Sequence, residues 1–482
     1  MSTVSVPERQ AFWRNFDIQY RSTHAELRPM KRVMWELPHW MHWLGGVLET
    51  HGYTSMDVLD LYTEPGAVGV AGSVDDSVVR AALREHPGDV YLFSPMTVNL
   101  PIALQIAHAV KDAFPRSVTV FGGIAATPLR RIVAADPSVD YVVTDRGEIA
   151  LPALLDALRG PGEPDAVGHL TYRDRDGIVR STGLRYPDLP VAELPFPKVD
   201  LFPRSTGEDL RYLRQVYALG CPYKCSFCTI QTIGRKAEYF AIDRVLAEIH
   251  AYRERYGEHH HLYWGDETFT LHPEHTLELL SALEAEGDIA YDCQTRLNCL
   301  GDPKVLRGLK ASGCRWIEIG LETAGQDSHH LHKHHMKLDP TEETLKKIRD
   351  EGLAACAFTV NGFPEQTPDQ MRRSVEWVCG LIEKDLLQAS YLFGLVPYPG
   401  SALYQAPEQY GMKLLHHEYG LYHEDMPPVY ETPHAKPDEI YEVFLEGVEW
   451  LGEAMGKRPH FGEPPAEEEL GSYGNFWDGA HV

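Results

Sequence analysis

The chain has 482 residues, 43% apolar and 24% charged, a globular composition with material for two or three domains, which excludes a disordered, collagenous or coiled-coil protein. Lys and Arg number 45 against 70 Asp and Glu, a formal charge of −25, which repels a phosphate backbone and argues against DNA or RNA as substrate. The sequence shows no run of about 18 uncharged apolar residues and no basic stretch leading into an apolar segment, so neither a membrane span nor a signal peptide is predicted, and a cytoplasmic protein is expected.

In chain order, Trp40, Trp43, Leu44, Val47 and Leu48 fall at helical spacing and Met56–Asp60 reads as a strand. Further short apolar runs at Asp89–Phe93, Val118–Phe121 and Asp140–Val143, with helices over Ile102–Ala113 and Ala150–Leu158, predict an α/β domain with a doubly wound parallel sheet. Its ligand would sit beyond the carboxyl ends of the strands. A hairpin turning at Asp176-Gly177 and a Pro-rich linker follow. A second alternation then places strands near 213–219, 262–266, 289–293, 315–320, 354–361 and 387–396, separated by helices such as Ile242–Tyr256, Pro273–Ala285, Thr341–Asp350 and Thr367–Leu381. Six strand-helix units over about 185 residues are too few for a closed eight-stranded barrel of about 250 and predict a partial (β/α)6 barrel. One more helix, Pro437–Met455, marks a small, mostly helical C-terminal region. The predicted division is 1–164 for the first domain, 165–205 for the linker, 206–401 for the barrel and 402–482 for the C-terminal region.

Three of the eight cysteines crowd into Cys221-Pro-Tyr-Lys-Cys225-Ser-Phe-Cys228, directly after the first predicted barrel strand. Soft thiolates at this spacing select iron-sulfur or zinc. A structural zinc site completes four protein ligands, usually with a second pair of similar spacing, and no second Cys-x-x-Cys occurs. Three cysteines leave one iron of a [4Fe-4S] cube open. The pattern C-x-x-x-C-x-aromatic-C at the end of a first barrel strand resembles the signature of the radical S-adenosylmethionine (radical SAM) enzymes. Later strand ends match that family in order: Trp264-Gly265-Asp266-Glu267, then Gln294 and Arg296, Ile317-Glu318-Ile319-Gly320-Leu321-Glu322, Asn361-Gly362-Phe363-Pro364-Glu365, and Pro397-Tyr398-Pro399-Gly400-Ser401. The fifth-strand turn lacks the family's glycine before Glu365.

The resemblance implies that Cys221, Cys225 and Cys228 hold the cluster, that Phe227 lies beside the adenine of S-adenosylmethionine (SAM), and that Asp266, Gln294, Arg296, Glu318, Glu322 and Asn361 contact SAM. It further implies a 5′-deoxyadenosyl radical that abstracts hydrogen from substrate inside an enclosing barrel, fed by an electron donor such as flavodoxin or ferredoxin.

Residues 36–160 resemble the cobalamin-binding domain that several radical SAM families carry. The resemblance rests on Leu37-Pro38-His39-Trp40, on Phe93-Ser94-Pro95-Met96-Thr97, on Gly122-Gly123, where absent Cβ atoms permit close ligand approach, and on Asp145-Arg146-Gly147-Glu148. It implies cobalamin contacts from Tyr62, Ser94, Met96, Gly122, Gly123 and Glu148. Cobalamin domains that supply a lower axial histidine carry Asp-x-His-x-x-Gly; here Asp60-Leu61-Tyr62 puts tyrosine at the histidine position, which excludes histidine ligation from this loop.

Other residues are read structurally. The histidine runs 259–261, 329–335 and 416–417 are expected on solvated surface, and Cys293, Cys299, Cys314, Cys356 and Cys379 as buried thiols. In the C-terminal region His416, Tyr419, Tyr422, His423 and Tyr430 are candidates to line a substrate pocket. The two domains together imply a cobalamin-dependent radical SAM methyltransferase acting on a carbon of a small molecule, such as a secondary metabolite; an aromatic heterocycle such as a pyrrole is compatible. Two alternatives stay open: rearrangement or oxidative cyclisation with the same cofactors, and an iron-sulfur electron-transfer or binding protein.

Overall fold

The computed structural model describes residues 34–59, 61, 75–160, 162–204, 210–232, 236–257, 261–333 and 336–456. The described residues open with β1 (Met34–Glu36) and α1 (His39–Thr50), then build a first α/β unit from α2 (Asp76–Glu85), β2 (Val90–Phe93), α3 (Leu100–Ala113), β3 (Val118–Phe121), α4 (Gly123–Ala126), α5 (Arg130–Ala135), β4 (Tyr141–Val143), α6 (Gly147–Arg159), β5 (Leu170–Arg173) and β6 (Val179–Ser181). Strands β2, β3 and β4 are parallel; the β5–β6 hairpin adds to β4 antiparallel, giving the order β2-β3-β4-β5-β6. The hairpin turns where the sequence placed it, with Gly177 at φ +80° and the Asp174 carboxylate accepting from the amides of Asp176 and Ile178. It forms the edge of the first sheet, so the connection between the two sheets begins only after Ser181.

The expected strand at Met56–Asp60 does not form over its described residues, 56–59. Asp57 is the reason: its carboxylate accepts from the next backbone amide, Val58 N, at 2.8 Å and pairs with His86, so the side chain competes for the backbone group a ladder needs. Helix α2, for which the sequence reading named no element, is capped by Asp75, whose side chain accepts from the amides of Ser77 and Val78.

The barrel unit comprises β7 (Leu210–Gln215), a two-stranded ribbon of β8 (Ala218–Leu219) and β9 (Glu238–Tyr239), α7 (Ile242–Tyr256), β10 (His261–Trp264), α8 (Pro273–Glu286), β11 (Tyr291–Thr295), α9 (Pro303–Ala311), β12 (Cys314–Glu322), α10 (Gln326–His332), α11 (Thr341–Asp350), β13 (Ala354–Asn361), α12 (Pro368–Glu383) and β14 (Ala389–Gly394). The C-terminal region adds α13 (Ala402–Gln405), the ribbon β15 (Lys413–Leu414) with β16 (Tyr430–Glu431), and α14 (Pro437–Gly456). The main sheet is parallel throughout, in the order β1-β7-β10-β11-β12-β13-β14. Six of its strands are the predicted barrel strands. The seventh, β1, precedes the first α/β unit in sequence and joins the outer edge of β7, which stitches the two units together.

The helices form where apolar spacing dictates. In α7, Val245, Ile249, Tyr252 and Tyr256 are buried at intervals of three and four. In α12, Thr367 and Gln370 make a reciprocal capping box, and Val375 and Val378 turn inward. The core between sheet and helices contains Leu262, Trp264, Tyr291, Ile317, Ile319 and Ala357, all fully buried; each large side chain contributes about 1.5–3 kcal/mol by leaving water.

Helix α1 is a wedge. Its Trp43 belongs to the barrel core while Leu48 belongs to the core of the first unit. Gly46 lies so close to the linker that a Cβ there would stand 2.1 Å from the Phe196 carbonyl oxygen. On the far side, Tyr419, Tyr422 and Val429 share a core with Leu100, Ala103 and Phe121 of the first unit, so part of the expected pocket lining serves as interdomain packing. Among the described residues no helix is long and apolar enough to cross a membrane.

Candidate functional site

The loop carrying Cys221, Cys225 and Cys228 leaves β7 and β8 at the carboxyl end of the main sheet. Cys221 is buried, Cys225 and Cys228 half-buried. Burial raises the Cys221 thiol and pushes that of Cys228 up to about 12, so without a cation to stabilise the thiolates these sulfurs keep their protons. Among the described residues no three His, Cys, Asp or Glu side chains converge on a single ion. A [4Fe-4S] cube takes one thiolate on each of three irons and leaves the fourth open, which three cysteines supply, whereas a structural zinc takes four protein ligands.

The loop is gripped from both sides. The Ser226 amide donates to the His332 carbonyl at 2.9 Å, and the Ser226 hydroxyl shares a hydrogen bond of 2.6 Å with His332 Nδ1. The other imidazole nitrogen meets Glu365 Oε2 at 2.9 Å, and the ring stacks on Phe363 with centroids 4.9 Å apart. Phe227 stands edge-on to the same Phe363 at 5.8 Å. On the opposite side Arg296 lies over the Tyr223 ring, 3.8 Å from its centroid, and its Nη1 is 3.3 Å from Cys225 Sγ.

The remaining candidates sit at or near strand ends, except Glu318, which lies in the middle of β12. Asp266 is fully buried, and its carboxylate accepts from the backbone amides of Tyr217 at 3.0 Å and Ala218 at 2.7 Å. Burial raises it to about 7 against the pull of those two amides. Its side chain is thus committed to the backbone that launches the cysteine loop. Its neighbour Glu267 has a buried Oε2 with no hydrogen-bond partner, and burial raises its pKa. Gln294 donates to the Asp266 carbonyl at 3.1 Å, and Glu318 accepts from the Tyr263 hydroxyl at 2.8 Å. Glu322 ends β12 at a register shift with φ +59°, a strained conformation for a non-glycine residue. Lys333 holds it there, with Nζ 2.6 Å from Glu322 Oε1 and 2.6 Å from the Gly320 carbonyl.

Asn361 closes β13 fully buried, and both its amide atoms lack a hydrogen-bond partner; the same is true of Gln215 at the end of β7. Leaving a buried amide unpaired costs about 1–3 kcal/mol. Orphaned polar atoms of Gln215, Glu267 and Asn361 around one loop of three thiols fit a polar ligand such as SAM beside a cluster.

Sequence reasoning missed Gln215, Glu267, His332 and Lys333. Glu267 lay one residue from the nominated Asp266, and only the path of the chain shows which carboxylate is spent on backbone amides. The expectation that the 329–335 histidines are solvated is corrected for two of them: His329 and His332 are each 1% exposed, because α10 buries them against the strand ends, His329 bonding the Thr323 carbonyl. His334 and His335 lie outside the described residues, as do His259 and His260. Of the other expected thiols, Cys293, Cys314 and Cys356 are buried, whereas Cys299 and Cys379 are half-buried.

In the first unit Ser94 and Met96 follow β2 while Gly122 and Gly123 follow β3, so all four stand together at the carboxyl end of that sheet. The loops approach so closely that a Cβ on Gly123, at φ +82°, would stand 2.2 Å from Ser94 Oγ. Met96 is 56% exposed, an apolar side chain presented beside bare backbone, which fits a broad ligand of mixed polarity such as cobalamin. Glu148, at the start of α6, accepts from Arg146 Nε at 3.1 Å and lines a cavity of about 420 Å³ between α1, α6 and the linker. Tyr62 lies outside the described residues.

The segment after β14 packs against both units. A Cβ on Gly400 would stand 2.5 Å from Thr232 Oγ1, just beyond the cysteine loop, and 3.4 Å from Pro128 of the first unit, and the Leu403 amide donates to the Ser226 carbonyl at 3.1 Å.

Two protein families match this chain. The B12 binding domain family matches residues 36–155 and the radical SAM superfamily residues 216–378. An uncharacterized methyltransferase of Pyrococcus horikoshii is 24% identical over 342 residues, covering 70% of this chain and 73% of that protein. An anaerobic magnesium-protoporphyrin IX monomethyl ester cyclase of Rubrivivax gelatinosus is 22% identical over 421 residues, covering 84% and 70%. The structure of the radical SAM methyltransferase TsrM of Kitasatospora setae, with cobalamin and a [4Fe-4S] cluster bound, superimposes with a TM-score of 0.66 at 15% identity, covering 89% of this chain and 88% of that one; that likeness establishes the fold. The chain is a cobalamin-binding-domain member of the radical SAM enzymes, the family whose cofactors are a [4Fe-4S] cluster, SAM and cobalamin.

Proposed function

We propose that this protein transfers a methyl group to a carbon of a small molecule. The observation that supports the reading is the segment after β14, where Gly400 packs between Thr232, just beyond the cysteine loop, and Pro128 of the first unit, so one stretch of chain lies against both units. When bound, the cofactors supply a methyl group carried on cobalamin and a 5′-deoxyadenosyl radical able to remove substrate hydrogen.

The residues divide the work. Cys221, Cys225 and Cys228 hold the cluster. Asn361 and Glu267 offer hydrogen bonds to SAM from buried positions, Glu322 offers the carboxylate oxygen that Lys333 leaves unbound, and Phe227 offers an aromatic face for the adenine. Ser94, Met96, Gly122 and Gly123 form the cradle for cobalamin. The enclosing strands and helices keep water from the reacting atoms. An external electron donor such as flavodoxin or ferredoxin supplies the reducing electron, and a cytoplasmic location suits that supply. The substrate is a small molecule such as a secondary metabolite, including aromatic heterocycles; the net charge of −25 disfavours nucleic acid.

The second reading is oxidative cyclisation, favoured by the likeness to the Rubrivivax gelatinosus cyclase. Product analysis separates the two. Methyl transfer releases about one S-adenosylhomocysteine and one 5′-deoxyadenosine per product, within the limits of uncoupled cleavage, and methyl-deuterated SAM passes its whole label into the product. Conversion of substrate with 5′-deoxyadenosine but without S-adenosylhomocysteine or mass gain rejects methylation and leaves cyclisation or rearrangement standing. Iron content tests the ligands: the anaerobically reconstituted chain should bind about four irons and four sulfides, and a Cys225→Ala variant that keeps a full cluster overturns the assignment.

A further inference from the structure

We propose that Arg296 acts on the cluster loop itself, donating a hydrogen bond to the sulfur of Cys225 and thereby raising the reduction potential of the cluster. The proposal rests on the assignment of Cys225 as a cluster ligand. Arg296 Nη1 lies 3.3 Å from Cys225 Sγ, and the residue is 5% exposed. Its position is fixed from several directions. Nε donates to Asn298 Oδ1 at 3.3 Å, and the guanidinium lies over the Tyr223 ring at 3.8 Å. Tyr223 in turn accepts from Asn298 Nδ2 at 3.4 Å and contacts Cys299 Sγ at 3.6 Å. Tyr223 and Cys225 belong to one loop, so a single side chain holds that loop by a ring and by a sulfur. Arg296 directly follows the last residue of β11, which ties this grip to the main sheet.

The physical consequence is electrostatic. The guanidinium is a fixed positive charge with a planar fork of N–H donors, and in a buried site its field is screened far less than in water. Hydrogen bonds to ligand sulfurs and local charge set cluster potentials. A cationic donor on Cys225 favours whichever form of the cluster carries more negative charge, which is the reduced one. In that reduction one electron arrives from an external low-potential one-electron donor, no bond forms or breaks, and no proton need move. Arg296 therefore makes a demanding reduction easier by acting on the cluster through Cys225.

The test is a dye-mediated redox titration of the reconstituted full chain, read by electron paramagnetic resonance without SAM, with iron counted in each sample. Arg296→Met should keep about four irons and shift to a more negative midpoint, so that the reduced-to-oxidised ratio at the wild-type midpoint falls about tenfold, equivalent to about 59 mV for a one-electron couple. Arg296→Lys, which keeps the charge but loses the fork and the stacking, should shift in the same direction by less. Tyr223→Phe, which keeps the ring under the guanidinium, should leave the midpoint where it is. A full cluster in Arg296→Met with an unchanged or raised midpoint overturns the proposal, as does loss of iron from both Arg296 variants, which would mark a purely structural role. Failure of the wild-type chain to bind iron would instead overturn the cluster reading.

Discussion

Ser226 and His332 stand 106 positions apart in the chain, yet the His332 carbonyl accepts from the Ser226 amide at 2.9 Å and the imidazole shares a 2.6 Å hydrogen bond with the Ser226 hydroxyl. Through Glu365 on the other ring nitrogen, one buried imidazole links the cysteine loop to the turn after β13.

Truncation at His332 should therefore disturb the cysteine loop first. His332→Ala orphans the buried Ser226 hydroxyl, at about 1–3 kcal/mol for a buried polar group left unpaired, and takes the imidazole away from Glu365. We expect a lower denaturation midpoint and reduced iron uptake. His332→Asn, whose amide can reproduce the contact at Nδ1, should recover part of the iron uptake. An alanine variant with wild-type iron content and midpoint would show the contact to be inconsequential.

The Lys333–Glu322 pair should show the asymmetry of buried ion pairs. Both side chains are about a tenth exposed or less, so removing the ammonium strands a buried carboxylate at φ +59°. Lys333→Met should cost about 3–5 kcal/mol, whereas Lys333→Met with Glu322→Gln should recover most of it. Urea denaturation of the two single variants and the double variant measures the coupling; additive losses would mean that the pair does not interact. SAM affinity should stay weakened in the double variant, which separates Glu322 as a ligand from Glu322 as a structural partner.

Acid should weaken the junction between α1 and the linker. Burial lowers His42 from 6.5 to about 4, opposed by the hydrogen bond to the Lys198 carbonyl. Nδ1 makes that bond at 2.8 Å, and Nε2 is buried without a partner, so a second ring proton has nowhere to be solvated. The folded pKa lies below the unfolded one. The unfolded chain therefore takes up a proton between those values that the folded chain refuses. Stability is full above about pH 6.5 and falls toward pH 4, by about 3 kcal/mol from this residue. His42→Phe should flatten that slope at the expense of the Lys198 bond. Urea midpoints at pH 7.5 and 5 decide the matter, and equal slopes in the two proteins would reject it.

Cobalamin retention should depend on the backbone at Gly123. Alanine there would strain the left-handed backbone of Gly123 and push the Ser94 hydroxyl, 2.2 Å from the new Cβ, out of its place. Gly123→Ala should keep the cluster and lose cobalamin binding by about tenfold or more, about 1.4 kcal/mol or above, read from the absorbance of retained cobalamin. Unchanged retention would remove this loop from the proposed cradle.

The sequence by itself determined most of the order of elements and the chemistry of one loop. Apolar periodicity is a local property, so Ile242–Tyr256, Thr341–Asp350, Ala354–Asn361 and Val118–Phe121 appear with the boundaries their spacing implies. Three cysteines within eight residues need no long-range information to be read as a cluster site. Tertiary structure decided everything that depends on which distant residue comes near. It joined β1 to the barrel sheet ahead of a whole intervening unit, spent Asp266 on backbone amides while leaving a Glu267 oxygen free of partners, and brought His332 to Ser226 and Lys333 to Glu322. It also turned tyrosines expected in a pocket into packing between units. The physical reason is that a polar side chain buried by folding must be paired or carry a cost, and the identity of its partner is set by the path of the chain through space.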